Sequence, residues 1–411
     1  MSRVLVIGGG AAGLMAAGMA ARYGADVTLL ERNARPARKV MITGKGRCNV
    51  TNACDVQETV SNIPSNGRFL FSALSAFSQE DMRELLRELG VETKVERGKR
   101  VFPISDKASD VVDALVKFAH REGVRTVQER ATSLLMDNGC CVGVKTESGA
   151  VYEADAVAIC TGGMSYPKTG SDGDGYVLAR QAGHTVTPLR PSLVPLCIRE
   201  YDCSQMQGLS LKNVTLTVTD TDKRKVIFEE LGEMMFTHFG ITGPLVLSAS
   251  AHMREMHSGR YTVTIDLKPG LDETRLSERL LRELAEHRNA AASTMLATLL
   301  PRLMIPTVAS RSGLALSTPC HSITKEQRAR LVHVLKHLTY TVEAFRPIDE
   351  AIVTSGGVSV KEIDAKTMAS KLCDGLYFAG EVMDVDAYTG GFNLQIAFST
   401  GVAAGSAMAM R

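Results

Sequence analysis

Three glycines spaced Gly8-x-Gly10-x-x-Gly13 stand between an apolar run, residues 4–7, and an Ala/Met/Leu-rich run that lasts to Arg22. Their spacing suits chemistry on a dinucleotide. Gly8 permits a tight turn, Gly10 leaves backbone bare where a pyrophosphate would lie, and Gly13 lets the next helix pack close to a sheet. The helix start would offer N–H groups and partial positive charge to phosphates. A second apolar run, 27–30, ends on Glu31, eighteen residues after Gly13. That is near the spacing of a carboxylate that holds a ribose hydroxyl. An ordinary β-turn-α corner needs the glycines but not the acid, and here strand, turn, helix, strand and acid agree.

The segment after Glu31 carries Arg32, Arg35, Arg38, Lys39, Lys45 and Arg47 with no acid among them, and Gly44 and Gly46 make it a flexible loop. A basic glycine-bearing loop beside the turn suits a second contact with the same anion, although a solvated basic face would look alike. No Ser or Thr follows Gly44-Lys45, so it is not a Walker loop. A strand at 156–160 runs into Thr161-Gly162-Gly163, again bringing bare backbone close to something. Tyr166 and His238 are candidate proton donors, set against a turn tyrosine and a hydrogen-bonded histidine as the plainer readings. His333 and His337 are four apart, but the acid of a zinc helix is missing, so no metal site is expected. Nine scattered cysteines form no CxxC pair. Cys48 has Cys54 six residues on, a poor spacing for a disulfide reductase. The pattern is reduced cytosolic usage.

Several elements must hold these groups in place. Residues 69–89 and 106–121 have helical apolar spacing, each closed by a glycine, with an irregular stretch at 97–105 between them. Short strands at 124–128, 131–136, 141–146 and 151–152 are divided by Asn138-Gly139 and Ser148-Gly149 turns. A helix is expected near 175–182, and three prolines at 188–195 mark an exit. The texture then changes: 214–219, 225–229 and 261–267 alternate like antiparallel strands, while 272–300 and 325–337 read as helices, the latter with a Thr324/Gln327 capping box. The last part regains the first style, with a strand at 376–379, Gly380-Glu381, and a small-residue helix at 394–410 opened by Gly390-Gly391-Phe392-Asn393. The expected architecture is α/β: a discontinuous Rossmann-like domain, 1–190 with 345–411, and an inserted domain, 191–344, β-rich over 191–268 and helical over about 270–337.

With 411 residues, 45% hydrophobic and 22% charged, the composition is that of a soluble globular protein. A net charge of +2 gives no global field for nucleic acid. No apolar run approaches a membrane span. Residues 1–3 leave no space for a signal peptide, so a cytoplasmic location is expected.

The stretches GGGAAGLMAA, GKGRCNVTN, FPISDKASDVVDAL, CTGGMSYPKTGSDGDGY, GEMMFTHFGITGP, VTSGGVSVKEID and FAGEVMDVDAYTGGFNLQIAFSTG together resemble the HI0933-like (BaiN/RdsA) family of flavoproteins, over essentially the whole chain. The resemblance implies FAD held in extended form by the two-part α/β domain, with an insert of barrel-like sheet and helical bundle. Gly8, Gly10, Ala11, Ala12 and Gly13 would cradle the pyrophosphate, and Glu31 and Arg32 would meet the adenosine end. Lys39, Gly44, Arg47, Cys48 and Asn49 would line ribityl and flavin, Ala131 would meet adenine through its backbone, and Thr161 and Gly162 would pass beside the cofactor. Gly380, Glu381, Asp384, Gly391, Asn393, Leu394 and Gln395 would close over ribityl and ring. The helix beginning near Asn393 would aim its positive end at charge on the reduced flavin.

The expected activity is that of an FAD-dependent oxidoreductase acting on a small organic substrate, an NAD(P)H-dependent reductase, with an unsaturated ketone as one possibility. A flavin oxidase of a small amine or ketone, or a non-catalytic FAD-binding interaction protein, are the alternatives. Balanced charge and sparse aromatics weigh against an RNA partner.

Overall fold

The computed structural model describes residues 1–411 as two compact units, one of Met1–Ser192 with Pro347–Arg411 and one of Leu193–Arg346. The first unit is built on a five-stranded sheet. Its elements in chain order are β1 (Arg3–Ile7), α1 (Ala11–Arg22), β2 (Asp26–Glu31), β3 (Arg125–Gln128), β4 (Ala156–Ile159), β5 (Leu376–Phe378) and α2 (Phe392–Ala409). The spatial order is β5-β4-β1-β2-β3, every neighbour parallel, with Val4 facing both Ala156 and Val27. β1 and β4 are almost unbroken apolar runs, as strands covered on both faces must be.

α1 is buried without interruption from Ala11 to Ala20, so it cannot be amphipathic. Its Ala/Gly content serves close approach to α2. A Cβ added at Gly401 would sit 2.4 Å from the Ala12 carbonyl oxygen, and one at Gly405 would sit 2.3 Å from that of Ala16. The turn before α1 is equally tight: a Cβ at Gly13 would lie 1.8 Å from the Gly8 carbonyl oxygen. A separate three-stranded antiparallel sheet, Ala131–Asp137, Cys140–Thr146 and Val151–Glu153, is joined by the Asn138-Gly139 turn, both residues at positive φ.

The second unit contains a closed six-stranded barrel whose long hairpin pairs Ser210–Asp220 with Lys225–Phe236. Its inward side chains, among them Leu216, Val218, Phe236, Val263, Ile265 and Tyr340, are fully buried. Helices Glu273–Glu286, Ala292–Leu299, Ile305–Arg311 and Lys325–Lys336 complete it, the last with the Thr324/Gln327 capping box in place.

Several elements differ from expectation. The 69–89 helix is broken, because Phe77 is extended and a Ser78/Asp81 capping box starts a new helix, Gln79–Glu88. The 272–300 helix is two, and 97–105 holds a strand, Arg100–Pro103, paired with Thr93–Glu96. The loop after Glu31 is partly helical, Arg38–Ile42. Leu338–Phe345, unassigned from sequence, closes the barrel between Tyr261–Asp266 and Leu196–Ile198.

Candidate functional site

The glycine turn is braced by the acid at the end of β2. Glu31, 7% exposed, accepts from the Gly9 N–H at 2.8 Å through one oxygen, and from the Asn33 N–H and Nδ2 at 2.7 Å each through the other. Its first role is thus to hold the loop, where the sequence suggested a ribose contact; a carboxylate has four acceptor positions and three are used. A Cβ at Gly10 would meet no protein atom within 4 Å, which leaves bare backbone at the start of α1. Ala11 and Ala12 are buried in that first turn, and Gly380 packs on Ala12, where a Cβ would come within 2.8 Å.

The six cations of 32–47 divide evenly. Arg32 pairs with Asp172 and Asp174, Asp174 being shared with Arg130 and held below the usual carboxylate range chiefly by that arginine. Lys39 Nζ donates to Glu381 at 2.7 Å and to Ser165 Oγ at 2.6 Å. Arg47 Nε donates to Asp106 at 3.0 Å, and its guanidinium lies 4.2 Å over Phe102. Arg35, Arg38 and Lys45 are exposed. Gly44 lies against Phe102 and Asn49. Cys48 is fully buried at positive φ, and burial pushes its thiol up to about 11, so it is a packed side chain and not a nucleophile at neutral pH. With its amide oriented to satisfy both ends, Asn49 accepts from Gly391 N and donates to Thr51 and Val101 carbonyls.

At the C-terminal side, Gly391 presses on Thr51, whose backbone a Cβ would meet at 2.4 Å. Asn393 Oδ1 accepts from Ala387 N and its Nδ2 donates to the Ala387 oxygen, both at 2.9 Å, so it secures the 387–388 turn. Leu394 is half-buried beside it. Gln395 is turned inward, 2% exposed, accepting from Thr51 Oγ1 and donating to Ser399 and the Phe77 carbonyl. Asp384 is raised above the usual carboxylate range by burial and the neighbouring Asp386. Ala131 opens its strand in the same unit, buried.

In the middle of this site sequence reasoning named Thr161 and Gly162 but missed Asp172 and Tyr176. Thr161 Oγ1, Asp172 Oδ1 and the Tyr176 hydroxyl are buried with no hydrogen-bond partner. The Tyr176 phenol is held well above its ordinary value by burial, with Glu381 and Asp384 adding to it. Gly162 takes positive φ against Ser171. Orphaned buried donors and acceptors are rare unless a ligand or water completes them. Bare backbone at Gly10 together with unmatched polar atoms at 161–176 fits a group with phosphates and many hydroxyls, and FAD is such a group.

Tyr166 has φ +53, a left-handed setting that costs a non-glycine residue about 1–2 kcal/mol. It is half-buried, and burial raises its phenol. His238 lies in the other unit, exposed, its ring edge-on to Phe239 at 5.0 Å. His333 and His337 are exposed, rings 4.9 Å apart, with His337 bonded to Glu273. All nine cysteines are free. A recess of about 500 Å³ on the three-stranded sheet, lined by Arg3, Asp137, Cys140 and Arg411 among others, shares no residue with these loops.

A parallel sheet, a glycine turn at the start of its central helix and a discontinuous unit completed by the chain's last helix define a Rossmann-type FAD-binding flavoenzyme. The chain belongs to the HI0933-like family: the model of the HI0933-like protein Rossmann domain matches residues 2–407. It is 31% identical to the 3-dehydro-bile acid delta(4,6)-reductase of Clostridium scindens over all of both chains. It is also 31% identical to the ribosomal RNA dihydrouridine synthase of Escherichia coli, covering 96% of this chain and 95% of that one. Among solved structures it is similar in fold to the 3-ketosteroid-delta4-(5alpha)-dehydrogenase of Rhodococcus jostii RHA1, with a TM-score of 0.54, 15% identity, and 100% and 97% coverage. The protein is an FAD-dependent oxidoreductase. No helix is long and apolar enough to cross a membrane.

Proposed function

We propose that the protein is an NAD(P)H-dependent reductase of a carbon–carbon double bond conjugated to a carbonyl in a small organic substrate, an unsaturated ketone being the type case. Full-length likeness to a 3-dehydro-bile acid delta(4,6)-reductase supports the substrate class. When bound, FAD would take a hydride from reduced nicotinamide and deliver it to the carbon β to the carbonyl. Around that chemistry, Gly8, Gly10 and Gly13 would give backbone to the pyrophosphate, Lys39 and Glu381 would fix the loops beside the ribityl chain, and Thr161 and Gly162 would run along it.

Tyr166 carries the reading. Saturating the bond needs a proton at the α carbon, and a phenol, protonated at neutral pH, can donate one. It sits in strained backbone, where strain persists only if the surroundings fix it. His238, exposed, has no comparable restraint.

Uridine offers the same bond type, and two curated relatives named ribosomal RNA dihydrouridine synthases make it the second reading. Near-neutral net charge favours the small molecule. The test is anaerobic stopped-flow mixing of FAD-loaded protein with NADH and with NADPH, then with a cyclic enone or with unmodified ribosomal RNA. Rapid flavin bleaching followed by enone-dependent recovery is expected. No bleaching with either nucleotide defeats the donor assignment, and recovery with RNA alone moves the substrate to the second reading. In Tyr166→Phe the recovery should slow by about 10²-fold or more.

A further inference from the structure

A residue held in strained backbone needs restraint on both sides, and Tyr166 has it. On its C-terminal side, the Thr169 N–H and Oγ1 both donate to the Tyr166 carbonyl, at 2.8 Å each. On its N-terminal side, the two preceding amides, Met164 N and Ser165 N, donate to a single acceptor, Thr354 Oγ1, at 2.8 and 3.2 Å. Thr354 is fully buried in the short strand Val353–Ser355. Its own N–H donates to Glu381 Oε1 at 2.8 Å. Glu381 is gripped by Lys39, which also donates to the fully buried Ser165. Position 163 must be glycine, because a Cβ there would lie 2.4 Å from Thr354 Oγ1 and 2.9 Å from Glu381. Chain segments far apart in sequence thus meet at the Thr354–Glu381 pair next to the strained tyrosine, and the Thr354 hydroxyl oxygen takes both amides of the turn.

We infer that Thr354 is a positioning residue for the proton-transfer step: its hydroxyl oxygen holds the 163–166 turn in the setting that aims the Tyr166 phenol. This rests on the reading of Tyr166 as proton donor. In the step served, the phenol O–H breaks, a C–H bond forms at the carbon α to the carbonyl, and water returns a proton to the phenolate. The hydride is supplied by the reduced cofactor. Valine matches threonine in shape but accepts nothing, so it leaves two amides unmatched, that of Ser165 buried and that of Met164 partly so. Serine keeps the acceptor.

The test uses FAD-loaded wild type, Thr354→Val, Thr354→Ser and Tyr166→Phe, each reduced anaerobically with dithionite and mixed with 2-cyclohexen-1-one. Flavin reduction by NADPH is measured separately. Thr354→Val is expected to slow enone-dependent reoxidation by about 10-fold or more, with an altered pH profile, while Thr354→Ser stays within about 3-fold of wild type. FAD content and the reduction rate should hold. Thr354→Ala takes the valine's place if that variant does not load FAD. Wild-type reoxidation by Thr354→Val, or equal slowing of reduction and reoxidation, overturns the inference alone. Wild-type reoxidation by Tyr166→Phe, or a wild type that the enone does not reoxidise, overturns the donor reading and the inference with it.

Discussion

Glu31 joins the end of β2 to the glycine turn before any ligand is considered, and Glu31→Gln isolates that role. The carboxylate accepts three N–H groups, from Gly9 on one oxygen and from Asn33 twice on the other. An amide has one oxygen, and its other end donates, so one side must face N–H with N–H. Relaxing toward Asn33 keeps two bonds and strands the Gly9 amide. A lost bond to a charged acceptor is worth about 1.5–3 kcal/mol, and the stranded amide adds to that. With the side chain 7% exposed, water cannot make good the loss. Urea unfolding of the apoprotein should therefore show a loss of about 2–3 kcal/mol, and FAD affinity should fall with it. A side chain whose only partner were a ribose would leave the apoprotein untouched. An apoprotein of Glu31→Gln as stable as wild type refutes the bracing argument, whatever happens to FAD affinity.

Gly405→Val should cost about 1–3 kcal/mol, because its Cβ would meet Ala16 backbone and a helix-propensity gain under 1 kcal/mol cannot offset that; thermal unfolding reads it, and an unchanged midpoint would mean the two helices separate freely. His184 is buried, packed edge-on to Phe378 and bonded to Ser370 and Glu362, and burial lowers its pKa against the pull of Glu362. The unfolded chain then binds the proton first, so this contribution is intact above about pH 6.5 and lost as pH falls below it, by at most about 1.4 kcal/mol per unit. Urea midpoints from pH 7.5 to 5.5 should drop more for wild type than for His184→Gln, and parallel curves would contradict the assignment. A thiol reagent at pH 7.5 should find Cys140 and Cys197, the half-buried pair, and miss Cys48 and Cys160, whose thiols burial raises to about 11 and about 12; prompt labelling of Cys48 would show that its loop opens.

The first β–α–β unit was legible because its signals are local: glycines, apolar runs and the acid lie within 28 residues of one another and each constrains the next. The Thr324/Gln327 cap and the Asn138-Gly139 turn were legible for the same reason. Phe77 was not, since its break depends on a Ser78/Asp81 box inside a stretch whose apolar spacing continues. The roles of Arg32, Arg47 and Gln395 were hidden differently. Their side chains suit a cofactor in type, but their partners, Asp174, Asp106 and Thr51, are set by the fold. The Thr354–Ser165–Glu381–Lys39 cluster draws on four distant stretches, and nothing in any one of them says that these side chains meet. Leu338–Phe345 escaped notice because barrel closure, a property of six strands together, is what makes it a strand.

The barrel's first and last strands are partners, Leu196 facing Phe345, and just outside them Ser192 pairs with Val353. The polypeptide therefore leaves the first unit and returns to it through strands that pair with each other. Before that pairing, β5 must find β4 across more than two hundred residues of loose chain. Afterwards the same search spans about sixty, and loop-closure scaling makes that easier by about 1 kcal/mol. Synthesis reaches β5 only after residues 193–346 have been made, so pairing of the strands that flank the insertion shortens the search of the final strand and helix for the sheet.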